Sequence, residues 1–122
     1  NDLARVTSFT RAMLAFTTDT PERFGIVVRN PDGTLGDFVE KPEHAPSNLA
    51  STGVFVLDEK IFNFKPEVEK NGEYYHTEMI AEYVKEFPMA VVEQNLWIPI
   101  GYPDDVENAE KLLSVNKKSV EV

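Results

Sequence analysis

The stretch from Phe24 to Pro42, FGIVVRNPDGTLGDFVEKP, restricts the fold of this 122-residue chain more than any other. Two runs of β-branched and aromatic residues flank Pro-Asp-Gly, where Gly33 supplies the positive φ of a tight hairpin loop. The runs therefore predict two antiparallel strands. Period-two alternation puts Asp37 and Val39 on one face of the returning strand, and Phe38 and Glu40 on the other. Pro42 ends the regular pairing, which leaves Glu40 and Lys41 at a strand end.

Other segments add helices and further strands. Phe9, Met13 and Phe16 fall at helical spacing, with Ser8 or Thr7 as N-cap, and predict a short helix that TTDTPER breaks. STGVFVLD, residues 51–58, predicts a third strand, too evenly apolar to have a solvated face. Asp58 caps a short helix over EKIFNF. GEYYHTEMIAEYVKEF carries Met79, Ile80, Tyr83, Val84 and Phe87 on one helical stripe, with His76 at the helix entry and Thr77 as N-cap. MAVVEQ and LWIPIG predict two more strands. The closing helix, PDDVENAEKLLSVNK, has Pro103 at its first position, acids in its first turn and lysines at its end. Its buried stripe is Val106, Ala109 and Leu113. The mixture predicts an α/β fold, a mixed β-sheet with flanking helices.

Composition narrows the chemistry. An apolar fraction of 42% with eight Phe suits one folded domain with a modest core. The absence of Cys excludes a disulfide framework, a thiol nucleophile and a Cys-based zinc site, and His44 and His76 alone cannot build a histidine-rich metal site. Neither G-x-G-x-x-G nor G-x-x-x-x-G-K-[ST] occurs, so no glycine-rich phosphate loop is present. The net charge of −9 opposes binding to nucleic acid but not to a phosphorylated small molecule. No apolar run approaches the roughly 20 residues of a membrane span, and no signal segment opens the sequence. The expectation is a cytoplasmic protein without a membrane partner.

Glu40 and Lys41 bring together a hydroxyl-binding carboxylate and an anion-binding ammonium, the set that a sugar phosphate needs. Gly25 and Gly53 add places where a ligand could approach the backbone closely. An exposed strand end accounts for the same triplet, and the residues alone leave both readings open. Glu73, Glu78 and Glu82 read as a solvated helical face, and Lys117-Lys118 as helix C-terminal charge.

Taken in order, FGIVVRNPDGTLGDFVEKP, SNLASTGVFVLDEKIF and LWIPIGYPDD resemble the second half of the sugar-1-phosphate nucleotidyltransferase domain. That family includes glucose-1-phosphate thymidylyl- and uridylyltransferases and mannose-1-phosphate guanylyltransferase. The similarity runs from about Pro21 to Leu113. It implies that residues 21–122 form the C-terminal, sugar-phosphate-binding portion of a nucleotide-diphospho-sugar transferase (Rossmann-like) domain. Residues 1–20 are expected to form a helical segment that matches the family poorly.

The resemblance also implies roles. Glu40 would bind sugar hydroxyls and Lys41 the sugar phosphate, while Gly25 lines the sugar pocket. Ser51 stands where the family often has a sugar-contacting Asn, and Thr52 and Gly53 match. Apart from the resemblance, Trp97 reads as core or pocket wall rather than as a stacking platform. In the family reaction a sugar-1-phosphate oxygen attacks the α-phosphorus of a nucleoside triphosphate and pyrophosphate leaves, aided by Mg²⁺. Pro99 stands where the family usually has a metal-binding Asp, so no metal ligand is carried over, and no catalytic residue is assigned. The triphosphate loop belongs to the other half of such domains. The expectation is therefore a chain that is inactive alone and forms a homo-oligomer or strand-exchanged dimer. The alternative, motivated by Pro99 and Ser51, is a non-catalytic paralogue or module used in regulation or subunit assembly.

Overall fold

The computed structural model describes residues 1–65, 72, 76–94 and 97–120, with side chains as far as residue 115. Helix α1 (Asp2–Thr7) leads into β1 (Ala12–Thr17), and a single 3-10 turn (Pro21–Arg23) into β2 (Gly25–Arg29) and β3 (Leu35–Glu40). Strand β4 (Leu49–Val56) and a second 3-10 turn (Glu59–Asn63) precede α2 (His76–Glu86), β5 (Ala90–Glu93) and α3 (Pro103–Val120). The five strands form one mixed sheet in the order β3-β2-β4-β1-β5, with only the β1–β5 pair parallel. This is the α/β architecture that the alternating segments predict.

The hairpin turns where Asn30-Pro31-Asp32-Gly33 places it. Gly33 has φ +88°, its N–H donates to the Asn30 carbonyl, and the Asp32 carboxylate accepts from the Thr34 N–H. On one side of the sheet, Ile80, Tyr83 and Val84 of α2 pack on Met13, Ala15, Val27 and Phe38. On the other, Val6 of α1 covers Ala12, Leu14 and Val92. The stripe expected on α2 is thus its core face, with Met79 and Phe87 at the margin. Asp58 caps its 3-10 turn through the Lys60 N–H.

Several expectations about the elements and their burial fail. Phe9, Met13 and Phe16 lie on no common helix: α1 ends at Thr7, Ser8 is its C-cap, and residues 12–17 are a strand. That strand sits between β4 and β5, so Met13 and Ala15 enter one core while Ala12 and Leu14 enter the other. Burial on both faces erases the alternation that marks a half-exposed strand. Trp97 to Ile100 are not a strand, and Leu96 lies outside the described residues. Strand β4 is half-exposed from Ser51 to Val56, because β2 pairs with it only at Ile26–Ala50 and then diverges. On α3 only Ala109 of the expected stripe is buried; Val106 is 48% and Leu113 54% exposed. Glu73 and the side chains of Lys117 and Lys118 lie outside the described residues.

Candidate functional site

The most irregular stretch of the sheet is in β4. Met13 pairs with Phe55 and Ala15 with Ser51, so one residue of β1 faces three of β4, a bulge of two extra residues. Gly53, at φ +86°, makes the bend that an L-side chain resists. The Thr52 hydroxyl donates to the Leu14 carbonyl, satisfying the acceptor that the bulge leaves without a ladder partner. The Ser51 hydroxyl accepts from the Gly53 N–H. An even excess preserves the alternation of faces, so Leu49 and Phe55 on either side both reach the α2 core.

Across from the bulge, β2 and β3 run side by side with Gly25 opposite Glu40. A Cβ on Gly25 would stand 2.7 Å from Cε2 of Phe38 and 3.3 Å from Oε2 of Glu40. Gly25 is therefore needed for close packing rather than for its backbone angles. Between the bulge and this pair lies a cavity of about 240 Å³, its described lining including Gly25, Glu40, Ser51, Thr52, Gly53 and Trp97. Six positions flagged in the sequence, from three separate stretches, thus meet at one opening. Arg23, Phe24, Phe38 and His76 complete the described wall.

Lys41 is not part of that lining. It is exposed, its backbone N–H donates to the Phe24 carbonyl, and its φ of +38° turns the chain sharply after Glu40. Among the described residues it makes no ion pair.

Sequence reasoning missed how α2 enters the site. Thr77 does not cap the helix; it is the second helical residue, 1% exposed, and its hydroxyl donates to Oε2 of Glu40 at 2.6 Å. The His76 ring sits edge-on to Phe38 and Phe55, with centroids 6.4 and 5.7 Å away. The signal in the sequence was the pair His-Thr at a helix entry, which reads equally well as a cap.

The Trp97 wall is held by aromatic contacts. Its ring lies 3.9 Å from Phe16 and 5.7 Å from Phe24, and those two rings meet edge-on at 5.2 Å. Beyond it, the Asp105 carboxylate accepts from the Gly101 and Tyr102 N–H groups at the start of α3, the reach-back half of a capping box. Those two N–H groups, with Arg23 at 3.7 Å, hold the Asp105 carboxyl below its usual value despite partial desolvation. Arg23 also lies over the Tyr102 ring at 4.7 Å. Asp105 is thus occupied as a cap, the role its position suggests.

A family model described as nucleotidyl transferase matches residues 4–116, reaching past the motifs that carry the resemblance to take in α1 and β1. The bifunctional protein GlmU of Methanocaldococcus jannaschii is 31% identical over 116 residues, 93% of this chain and 28% of that protein. The UTP–glucose-1-phosphate uridylyltransferase AglF of Haloferax volcanii is 33% identical over 99 residues, 78% of this chain and 41% of that one. This chain thus spans less than half the length of these curated relatives. Among solved structures, a glucose-1-phosphate thymidylyltransferase from Bacillus anthracis, in complex with sucrose, superposes with a TM-score of 0.71. It is 25% identical, and the match covers 90% of this chain and 46% of that one. The mixed sheet is accordingly that of the nucleotide-diphospho-sugar transferase fold, and the chain belongs to the nucleotidyl transferase family, among the sugar-1-phosphate nucleotidyltransferases.

Proposed function

We propose that this chain supplies the sugar-phosphate-binding surface of an enzyme that couples a sugar 1-phosphate to a nucleoside triphosphate. A phosphate oxygen of the sugar 1-phosphate forms a bond to the α-phosphorus, the bond to the leaving pyrophosphate breaks, and a nucleotide-diphospho-sugar results. The observation that carries this reading is the convergence of Gly25, Glu40, Ser51, Thr52, Gly53 and Trp97 on one cavity. Its size of about 240 Å³ lies below the roughly 300–1,000 Å³ of drug-sized sites, which suits one small polar molecule rather than a whole nucleotide.

The roles follow from the donors and acceptors. Glu40 accepts hydrogen bonds from sugar hydroxyls. Ser51, whose oxygen already accepts from Gly53, offers its hydroxyl hydrogen. The Trp97 face shields one side of the sugar. Lys41, exposed directly after Glu40 in sequence, takes the phosphate as a point charge, and Arg23 adds positive potential at the wall. Binding and alignment are the contribution of these residues to the reaction. Mg²⁺ belongs to the reading through the chemistry of phosphoryl transfer. Among the described residues no three His, Asp or Glu side chains gather to hold a metal, and Mg²⁺ of this kind is held by one or two carboxylates together with substrate phosphates and water.

Calorimetric titration with glucose 1-phosphate tests the site. Glu40→Gln should weaken binding by about tenfold or more, since hydrogen bonds to a charged group contribute about 1.5–3 kcal/mol. Lys41→Ala should weaken glucose 1-phosphate and inorganic phosphate alike. Binding that survives both substitutions unchanged would place the ligand elsewhere. In a longer protein carrying this chain, absence of pyrophosphate release with sugar 1-phosphate, triphosphate and Mg²⁺ would refute the reaction.

A further inference from the structure

We propose that Thr77 is a positioning residue that sets the sugar selectivity of this site by fixing which oxygen of Glu40 faces the ligand. The inference rests on the reading of Glu40 as the sugar contact. Its basis is the 2.6 Å hydrogen bond from the Thr77 hydroxyl to Oε2, made from a side chain that is 1% exposed. Oε2 also lies near Gly25, where a Cβ would stand 3.3 Å from it. Oε2 thus has neighbours in both β2 and the first turn of α2. Oε1 accepts no hydrogen bond from the described residues. A carboxylate held by one oxygen presents the other in a single orientation, which selects hydroxyls by position rather than merely by charge.

The arrangement gives α2 a second task. The helix buries Ile80, Tyr83 and Val84 in the core, and the same packing holds Thr77 within reach of Glu40. Removing the hydroxyl alone, by Thr77→Val, retains the branched shape. It leaves Oε2 partly buried without its donor, so the carboxylate turns to find another.

The test compares the unsubstituted chain with Thr77→Val and Thr77→Ser, using glucose 1-phosphate and inorganic phosphate as calorimetric probes. The ¹³C resonance of the Glu40 side-chain carboxyl at neutral pH is followed in each protein. Thr77→Val should weaken glucose 1-phosphate binding by about tenfold and leave inorganic phosphate within twofold, because only the sugar contact depends on Glu40. Thr77→Ser should restore both the affinity and the carboxyl resonance. A general structural loss would lower both ligands together, which overturns the positioning role. So would a Thr77→Val protein with unchanged affinity and an unmoved resonance. If the unsubstituted chain binds neither probe, the sugar-phosphate reading falls for this chain. The resonance then decides the rest: a shift in Thr77→Val that Thr77→Ser reverses upholds the hold on Glu40, and no shift overturns it.

Discussion

Gly25→Ala offers a quantitative test of how the site is packed. The backbone of Gly25 is not in the left-handed region, so alanine meets no conformational barrier there. By shrinking the unfolded ensemble, the substitution alone would stabilise by about 0.4–1 kcal/mol. The new methyl group, however, would stand 2.7 Å from Cε2 and 3.2 Å from Cζ of Phe38. Phe38 is 4% exposed and its ring is bounded by Phe55 and His76, so it has little room to retreat. Overpacking of this kind costs about 1–3 kcal/mol. The net expectation is a loss of roughly 1.5 kcal/mol, a fall in Tm of about 5–9 °C for a chain of this size. Thermal unfolding followed by circular dichroism measures it. A double-mutant cycle with Phe38→Leu, which removes both offending ring carbons, should recover about 1 kcal/mol as coupling. If Gly25→Ala melts at or above the parent temperature, the packing argument is wrong and the glycine is there for the ligand alone.

Further outcomes follow from other contacts. The Asp58 carboxylate accepts from the Tyr83 hydroxyl at 2.8 Å and from Arg11 at 2.9 Å, tying the 3-10 turn to α2 and to the start of β1. Desolvation pushes its pKa up, but Tyr83, Arg11 and the Lys60 N–H outweigh that and hold it below 3.8. Its contribution to stability should be complete above the unfolded-state value and be lost as pH falls through the lower folded one. Asp58→Asn should therefore flatten the acid limb of a Tm-against-pH curve, and an unchanged limb would argue against the cluster. Trp97, the sole tryptophan, lines the cavity, so glucose 1-phosphate should alter its emission. Heat of binding without any emission change would move the ligand away from that wall. Asp105→Ala should speed hydrogen exchange at the Gly101 and Tyr102 amides, and unaltered rates would show that the cap is dispensable.

What could be read from the sequence depended on turn chemistry and on whether an element keeps one wet face. The turn at Asn30–Gly33 announced itself through Pro-Asp-Gly although β2 buries both Ile26 and Val27, and the stripe of α2 was visible because that helix keeps one wet face. Strand β1 does not, and the chance spacing of Phe9, Met13 and Phe16 then imitated a helix. The candidate site was legible where ordered motifs repeated those of a known family, at Gly25, Glu40 and residues 51–53. Thr77 was hidden because its partner lies 37 positions away, and no local rule distinguishes a buried helical threonine from a cap. The exposure of Val106 and Leu113 was also out of reach, since helical periodicity names a candidate face without saying what covers it.

The two-residue excess in β4 separates the durability of the sheet from the use made of it. On either side of the bulge the strand is in register with β1, and its inner residues keep to their faces. A β4 shorter by two residues could pair along its whole length and bury the same side chains. It would have no Gly53 bend and no Thr52 turned toward Leu14. Two of the residues that line the cavity, Thr52 and Gly53, thus sit on a detour that the scaffold can do without. Change there, in length or in identity, can alter what is recognised while the framework stays put. Relatives that accept different sugars would be expected to differ at this detour sooner than in the pairs that flank it.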